Sequence, residues 1–105
     1  MTRLDYSVKD NRYTLKASGH CGAAPLGTDI VCAAVSSHFY TLLEALRRGD
    51  CEIIAEGELD EDGAVTVSAD IYDKRTQAVF DAICAGLVLL SENYPDYLEF
   101  SESFE

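Results

Sequence analysis

The hydrophobic pattern of this chain changes period twice along its length, and this change limits the folds that it can adopt. Apolar and polar residues alternate at 3–8 and again at 12–17, with the turn signal Asp10-Asn11 between them, which predicts a β-hairpin. Apolar residues then recur every three or four positions, which predicts a helix from Thr28 or Asp29 to about Arg48. The residues of this recurring face are Val31, Val35, Phe39, Leu42 and Leu46.

The same succession occurs a second time in the remaining half of the chain. A second hairpin is predicted at about 51–71 with its turn at 60–63, followed by a helix from Lys74 to about Glu92 with Asp73 as its N-cap. The order ββαββα predicts an α+β fold in which two long helices pack on a small antiparallel or mixed sheet. With 105 residues, we expect residues 1–105 to form a single domain. The tail after Pro95 fits either an edge segment or a partly ordered end.

Charge and hydropathy limit the partners of this domain. The net charge is −11, so phosphates would be repelled and direct nucleic-acid binding is not expected. A basic protein partner fits this charge, and a purely solubilising role fits it equally well. The longest apolar run, Ala82 to Leu90, is too short to span a membrane. The N-terminus does not resemble a signal peptide, so a soluble, cytoplasmic protein is expected.

The second predicted helix is apolar around most of its circumference. One small sheet cannot cover all of that surface, so part of the helix is expected to contact a second copy of the chain. We therefore expect a homodimer.

The four cysteines are expected to remain reduced in the cytoplasm. No CxxC pair is present, and the spacing of Cys21, Cys32, Cys51 and Cys84 matches no zinc pattern, so no metal site is expected. Cys51 and Cys84 fall on core-facing patterns and are interpreted as packing residues.

Cys32 is placed differently, three or four residues past the predicted start of the first helix. Backbone N–H groups at a helix N-terminus lower the pKa of a nearby thiol and can also stabilise an oxyanion. Helical spacing puts Asp29, Cys32 and Ser36 on one stripe beside the core face. The thiol is therefore predicted to point away from the core.

A cysteine nucleophile needs a base, and the chain has two histidines. His38 lies about 240° around the helix from Cys32 and cannot reach it within one chain. His20 lies in a loop predicted to be flexible, which contains Gly22 and Gly27, and could fold back over the helix start to form a dyad with Cys32. On these residues alone, a buried packing cysteine, an exposed loop histidine and a simple helix cap at Asp29 are also good explanations.

The segments GHCG at 19–22 and GTDIVCAAVS at 27–36 resemble the bacterial ribosomal-processing cysteine protease (Prp) family. The family motif is a Gly-His pair, a glycine-bearing loop and D-I-V-C-A-A-V-S at the opening of a helix. The resemblance implies that Cys32 is the nucleophile and His20 the general base, with Gly19, Asp29 and Ser36 at supporting positions. No metal or organic cofactor is implied.

The resemblance also implies a biological role. Members of the family act as homodimers that remove the N-terminal extension of a large-subunit ribosomal protein, cutting after a phenylalanine. The substrate would be a basic ribosomal protein precursor, which the acidic charge would attract. This chain departs from the family in having Cys21 where alanine is common. Two alternatives remain: a non-enzymatic ribosome-associated module that binds a basic protein, and a thiol redox sensor built on Cys21 and Cys32.

Overall fold

The computed structural model describes residues 1–19, 26–59 and 64–105. The described elements follow the chain as β1 Thr2–Lys9, β2 Arg12–Ser18, α1 Leu26–Arg47, β3 Glu52–Leu59, β4 Val65–Asp70, α2 Lys74–Asn93 and β5 Leu98–Phe104. The strands form one sheet in the order β3-β4-β2-β1-β5. The predicted α+β fold is therefore confirmed, with the two hairpins and two helices in the order ββαββα.

The sheet is mixed because its last strand pairs in parallel. The pairs β1–β2, β2–β4 and β3–β4 are antiparallel, whereas β5 runs parallel to β1 with Thr2 opposite Leu98 and Val8 opposite Phe104. A parallel pair needs a long connection between its strands, and here that connection contains both helices. The tail after Pro95 is thus an edge strand.

The core lies between one face of the sheet and the two helices. Alternation along β1 and β2 turns Leu4, Tyr6 and Leu15 toward the helices, and all three are buried. All five residues of the predicted apolar face of α1 are buried. The buried residues of α2 are Phe80, Cys84 and Leu87, which pack in the same core. Burying a side chain of this size contributes about 1.5–3 kcal/mol. No helix in the described part of the chain is long and apolar enough to span a membrane.

The two helix starts were predicted with different success. Asp73 is the N-cap of α2, as predicted: its carboxylate accepts hydrogen bonds from the backbone N–H and the hydroxyl of Thr76, both at 2.9 Å. By contrast, α1 begins at Leu26, so the prediction of a cap at Thr28 or Asp29 is wrong. The sequence offers competing start signals, because proline favours the first helical position and Thr28 or Asp29 favours the cap.

Candidate functional site

Cys32 lies on the exposed side of α1. Its neighbours Val31 and Val35 are buried in the core, whereas Cys32 is exposed. The predicted orientation of the thiol, away from the core, is therefore confirmed. A substrate can approach this sulfur from solvent without displacing core side chains.

The early start of α1 changes the environment expected for Cys32. Counting from Leu26, Cys32 is the seventh residue of the helix, in its second turn. The effect of a helix N-terminus falls off within the first turn, where the N–H groups without helical partners are located. The expectation that Cys32 belongs to the first turn is wrong, and activation of the thiol requires another group.

An apolar groove of about 460 Å³ begins one helical turn beyond Cys32, between α1 and the sheet. Its lining consists of Val35, Ser36, Phe39, Tyr40 and Leu43 from α1 and of Ala17, Glu56, Gly57, Val65 and Val67 from the strands. Ser36 is four residues after Cys32, and side chains at this spacing are neighbours on a helix surface. The near end of the groove therefore lies within one helical turn of Cys32.

A β-bulge shapes the strand side of this groove. The pairing of β3 with β4 shifts register between Glu56 and Leu59, and Gly57 has a φ of +85°. Only glycine adopts this conformation without strain. The sequence signal for this feature is a glycine inside an alternating strand, which often indicates a bulge, but the groove itself could not be read from the sequence.

Gly19 directly follows β2 and precedes His20 in the sequence. It also has a φ of +85°, and an added Cβ would lie only 2.5 Å from the carbonyl oxygen of Met1. Both facts require glycine at this position. Ala17, two residues before Gly19, lines the groove.

The other predicted site residues are only partly within the described structure. His20, Cys21 and Gly22 lie outside the described residues, as does the side chain of Asp29. Gly27 was predicted to belong to a loop, but it lies in the first turn of α1, because the helix begins at Leu26. Ser36 is exposed and lines the groove.

The remaining described cysteines are poor candidates for a nucleophile. Cys84 is buried in the core, and this burial, with smaller effects of the nearby Glu102 and Asp81, raises its pKa to about 12. Burial also raises the pKa of the half-buried Cys51. A thiol that holds its proton is a weak nucleophile. Among the described cysteines, Cys32 alone is exposed.

His38 packs between the two helices. Its Nδ1–H donates a hydrogen bond of 2.7 Å to the carbonyl oxygen of Ala34 on the same helix, and its ring lies against Gly86 of α2. The ring is therefore held at the helix crossing, on a different side of α1 from Cys32. This agrees with the prediction that His38 cannot be the base.

A model of the family described as cysteine protease Prp matches residues 1–99. The crystal structure of SMU.848 from Streptococcus mutans is similar, with a TM-score of 0.79 and 29% identity over 100% of this chain and 96% of that chain. No curated protein sequence matches the chain significantly.

Two crystal structures of the essential ribosomal processing protease Prp from S. aureus have the same fold. One contains a covalently linked product peptide, with a TM-score of 0.74 and 20% identity, and the other a substrate peptide, with a TM-score of 0.71 and 19% identity. Each comparison covers 97% of this chain and 99% of the other.

Proposed function

The chain belongs to the cysteine protease Prp family, and we propose that it removes the N-terminal extension of a large-subunit ribosomal protein precursor, cutting after a phenylalanine. The observation that carries this proposal is the exposed thiol of Cys32 one helical turn before an apolar groove. Members of this family are cysteine proteases. The alternative of a non-enzymatic ribosome-associated module is therefore not supported.

In the proposed mechanism, His20 accepts the proton of the Cys32 thiol and the resulting thiolate attacks the scissile carbonyl carbon. The tetrahedral intermediate collapses when the peptide C–N bond breaks, and the histidine gives its proton to the leaving amine. Water then hydrolyses the thioester and regenerates the thiol. Because Cys32 lies beyond the first turn of α1, the proposal assigns activation of the thiol to His20 rather than to the helix end.

The groove provides a binding site for the apolar part of the substrate. Its α1 wall runs from Val35 to Leu43, a length of about 12 Å at the helical rise, which matches three or four residues of extended peptide. Phe39 and Tyr40 present aromatic rings there, and such rings bind a phenylalanine side chain by edge-to-face or offset contact. We propose that the phenylalanine before the cut is bound at the Ser36 end of this groove, beside Cys32.

Assembly and localisation complete the proposal. The exposed side of α2 presents Ala78, Ala82, Ala85 and Leu89, and Leu89 is 59% exposed. We propose that this face contacts α2 of a second copy in a homodimer, which sedimentation would detect as twice the mass of one chain. The protein would act in the cytoplasm on a basic precursor attracted by the charge of −11.

The decisive experiment incubates the reduced protein with a peptide that spans the extension and the first residues of the mature ribosomal protein. We expect a single cut after phenylalanine, detected by mass spectrometry. Cys32→Ala and His20→Ala should each reduce the rate by at least about a thousandfold, because both members of the dyad act in the same step. Cys51→Ala serves as the matched control and should cut at the wild-type rate.

An intact peptide after incubation with the wild-type protein would refute the proposed substrate. Cutting by Cys32→Ala at the wild-type rate would refute the proposed nucleophile. A cut that requires Cys32 but not His20 would leave the substrate standing and refute the proposed base.

A further inference from the structure

The apolar groove contains one carboxylate among its described lining residues, that of Glu56. Glu56 lies on β3 at the bulge, directly before Gly57. Sites that bind mainly through apolar contacts use a few placed polar groups to select and orient their ligands. Among the described lining residues, Glu56 is therefore the one that can distinguish peptides by charge.

The carboxylate of Glu56 is held by a cation from the end of α1. Nε of Arg47 lies 3.6 Å from Oε1 of Glu56, and the two side chains are 51% and 50% exposed. A half-exposed ion pair of this kind is weak and is easily exchanged for another. A basic side chain of a bound peptide can therefore replace Arg47 beside the same carboxylate.

The position of Glu56 determines how far along a bound peptide its carboxylate lies from the sulfur of Cys32. An added Cβ on the adjacent Gly57 would lie 3.9 Å from Cδ2 of Leu43, so this part of β3 is level with Leu43 on α1. Leu43 is eleven residues after Cys32, which corresponds to about 16 Å along the helix axis. An extended peptide covers that distance in about five residues.

We propose that Glu56 is a specificity residue that binds a lysine or arginine of the substrate about five residues from the scissile bond. Arg47 holds the carboxylate when no peptide is bound and competes with the peptide's cation. The inference rests on the proposed function, since it takes Cys32 as the site of cutting. Its ligand is a peptide that is apolar next to the cut and carries one positive charge farther along the chain.

This arrangement predicts opposite effects from the two partners. Removing the charge of Glu56 should raise KM for a lysine-bearing peptide about two- to fivefold, the range of an exposed ion pair. Removing the charge of Arg47 should lower KM for the same peptide, because the competitor is gone. The value of kcat should stay constant in both variants, since the contact is remote from the reacting atoms and is the same in substrate and transition state.

The test uses a set of peptides in which a single lysine is moved through positions three to seven on either side of the cut, with a glutamine version as reference. KM and kcat are measured at low ionic strength for wild type, Glu56→Gln and Arg47→Gln. Glu52→Gln is the matched control, since Glu52 is an exposed carboxylate on the same strand that does not line the groove. Glu56→Lys should shift the preference toward a peptide with glutamate at the same position.

Binding provides a second measurement that does not depend on cutting. Fluorescence anisotropy of labelled peptides on Cys32→Ala, with and without Glu56→Gln, should show weaker binding of the lysine peptide only. Equal effects of Glu56→Gln and Glu52→Gln at every lysine position would overturn the inference. If no peptide is cut but the charge effect on binding persists, the proposed function and the stated distance from the scissile bond fail, and only the binding of a cationic side chain by Glu56 stands.

Discussion

The ring of His38 on α1 lies directly against Gly86 on α2, at the point where the two helices cross. A Cβ added to Gly86 would overlap with Nε2 of the ring and lie 2.8 Å from Cδ2. The ring cannot turn away freely, because its Nδ1–H is bonded to the carbonyl oxygen of Ala34. This contact sets how closely the two helices approach, and it assigns a structural role to His38.

Gly86→Ala should therefore destabilise the protein by about 1–3 kcal/mol, as expected when a packed site is overfilled. Urea unfolding at neutral pH measures this change. The double variant Gly86→Ala with His38→Ala should be less destabilised than the sum of the single variants, because the clash is removed. Gly49→Ala is the control: its added Cβ would have ordinary contacts of 3.6 Å or more. Additive effects in the double variant would contradict the proposed contact.

The glycine before His20 should be more sensitive to substitution than the glycine of the bulge. Gly19 and Gly57 share a φ of +85°, so alanine is strained at both. Gly19→Ala also forces a Cβ to within 2.5 Å of a backbone oxygen, whereas the contacts at Gly57 are 3.7 Å or longer. We expect Gly19→Ala to lower the melting temperature further than Gly57→Ala does. It should also slow peptide cutting more, because it displaces the start of the segment that carries the proposed base.

Filling the groove beside Cys32 should weaken peptide binding without unfolding the protein. Ser36 is exposed and lines the groove, so Ser36→Phe places a large ring where the substrate would bind. We expect a KM at least about tenfold higher, the loss of one well-bound apolar side chain. Ser37→Phe is the matched control, since Ser37 is exposed on the same helix but does not line the groove. A similar KM for both variants would show that peptides bind elsewhere.

The buried thiol of Cys84 should make the fold sensitive to alkali. Burial raises its pKa from about 9 to about 12, so the folded state keeps a proton that the unfolded state loses. Below about pH 9 the thiol is protonated in both states, and its contribution to the free energy of unfolding is complete. As the pH rises from 9 toward 12, the free energy of unfolding falls by about 1.4 kcal/mol per pH unit for this one group. Tyr6, whose pKa burial also raises, adds to the loss at the upper end of this range.

Urea unfolding at several values of pH between 8 and 11 tests this expectation. Cys84→Val should flatten the pH dependence, because valine cannot titrate. An equally steep dependence in Cys84→Val would show that other groups cause the alkaline loss.

The sequence by itself determined the order of elements and the faces of the helices. Alternation at 3–8 and the three- and four-residue spacing from Val31 to Leu46 correspond to buried faces in the structure. These predictions succeed because backbone geometry fixes the period of each element locally. The exposure of Cys32 follows from the same rule. The start of α1 could not be predicted as well, because polar capping residues and an upstream proline are competing local signals.

Only the tertiary structure decided what surrounds the thiol. The groove joins Ala17, Tyr40, Gly57 and Val67, which belong to four different elements far apart in sequence. The parallel pairing of β5 with β1 and the contact between His38 and Gly86 likewise join distant residues. The period of a single helix or strand does not predict these long-range contacts, since they depend on where α1 crosses the sheet and on the bulge in β3. The sequence motif points to Cys32 as the proposed nucleophile, and the packing of α1 on the bulged strand β3 forms the groove one helical turn away.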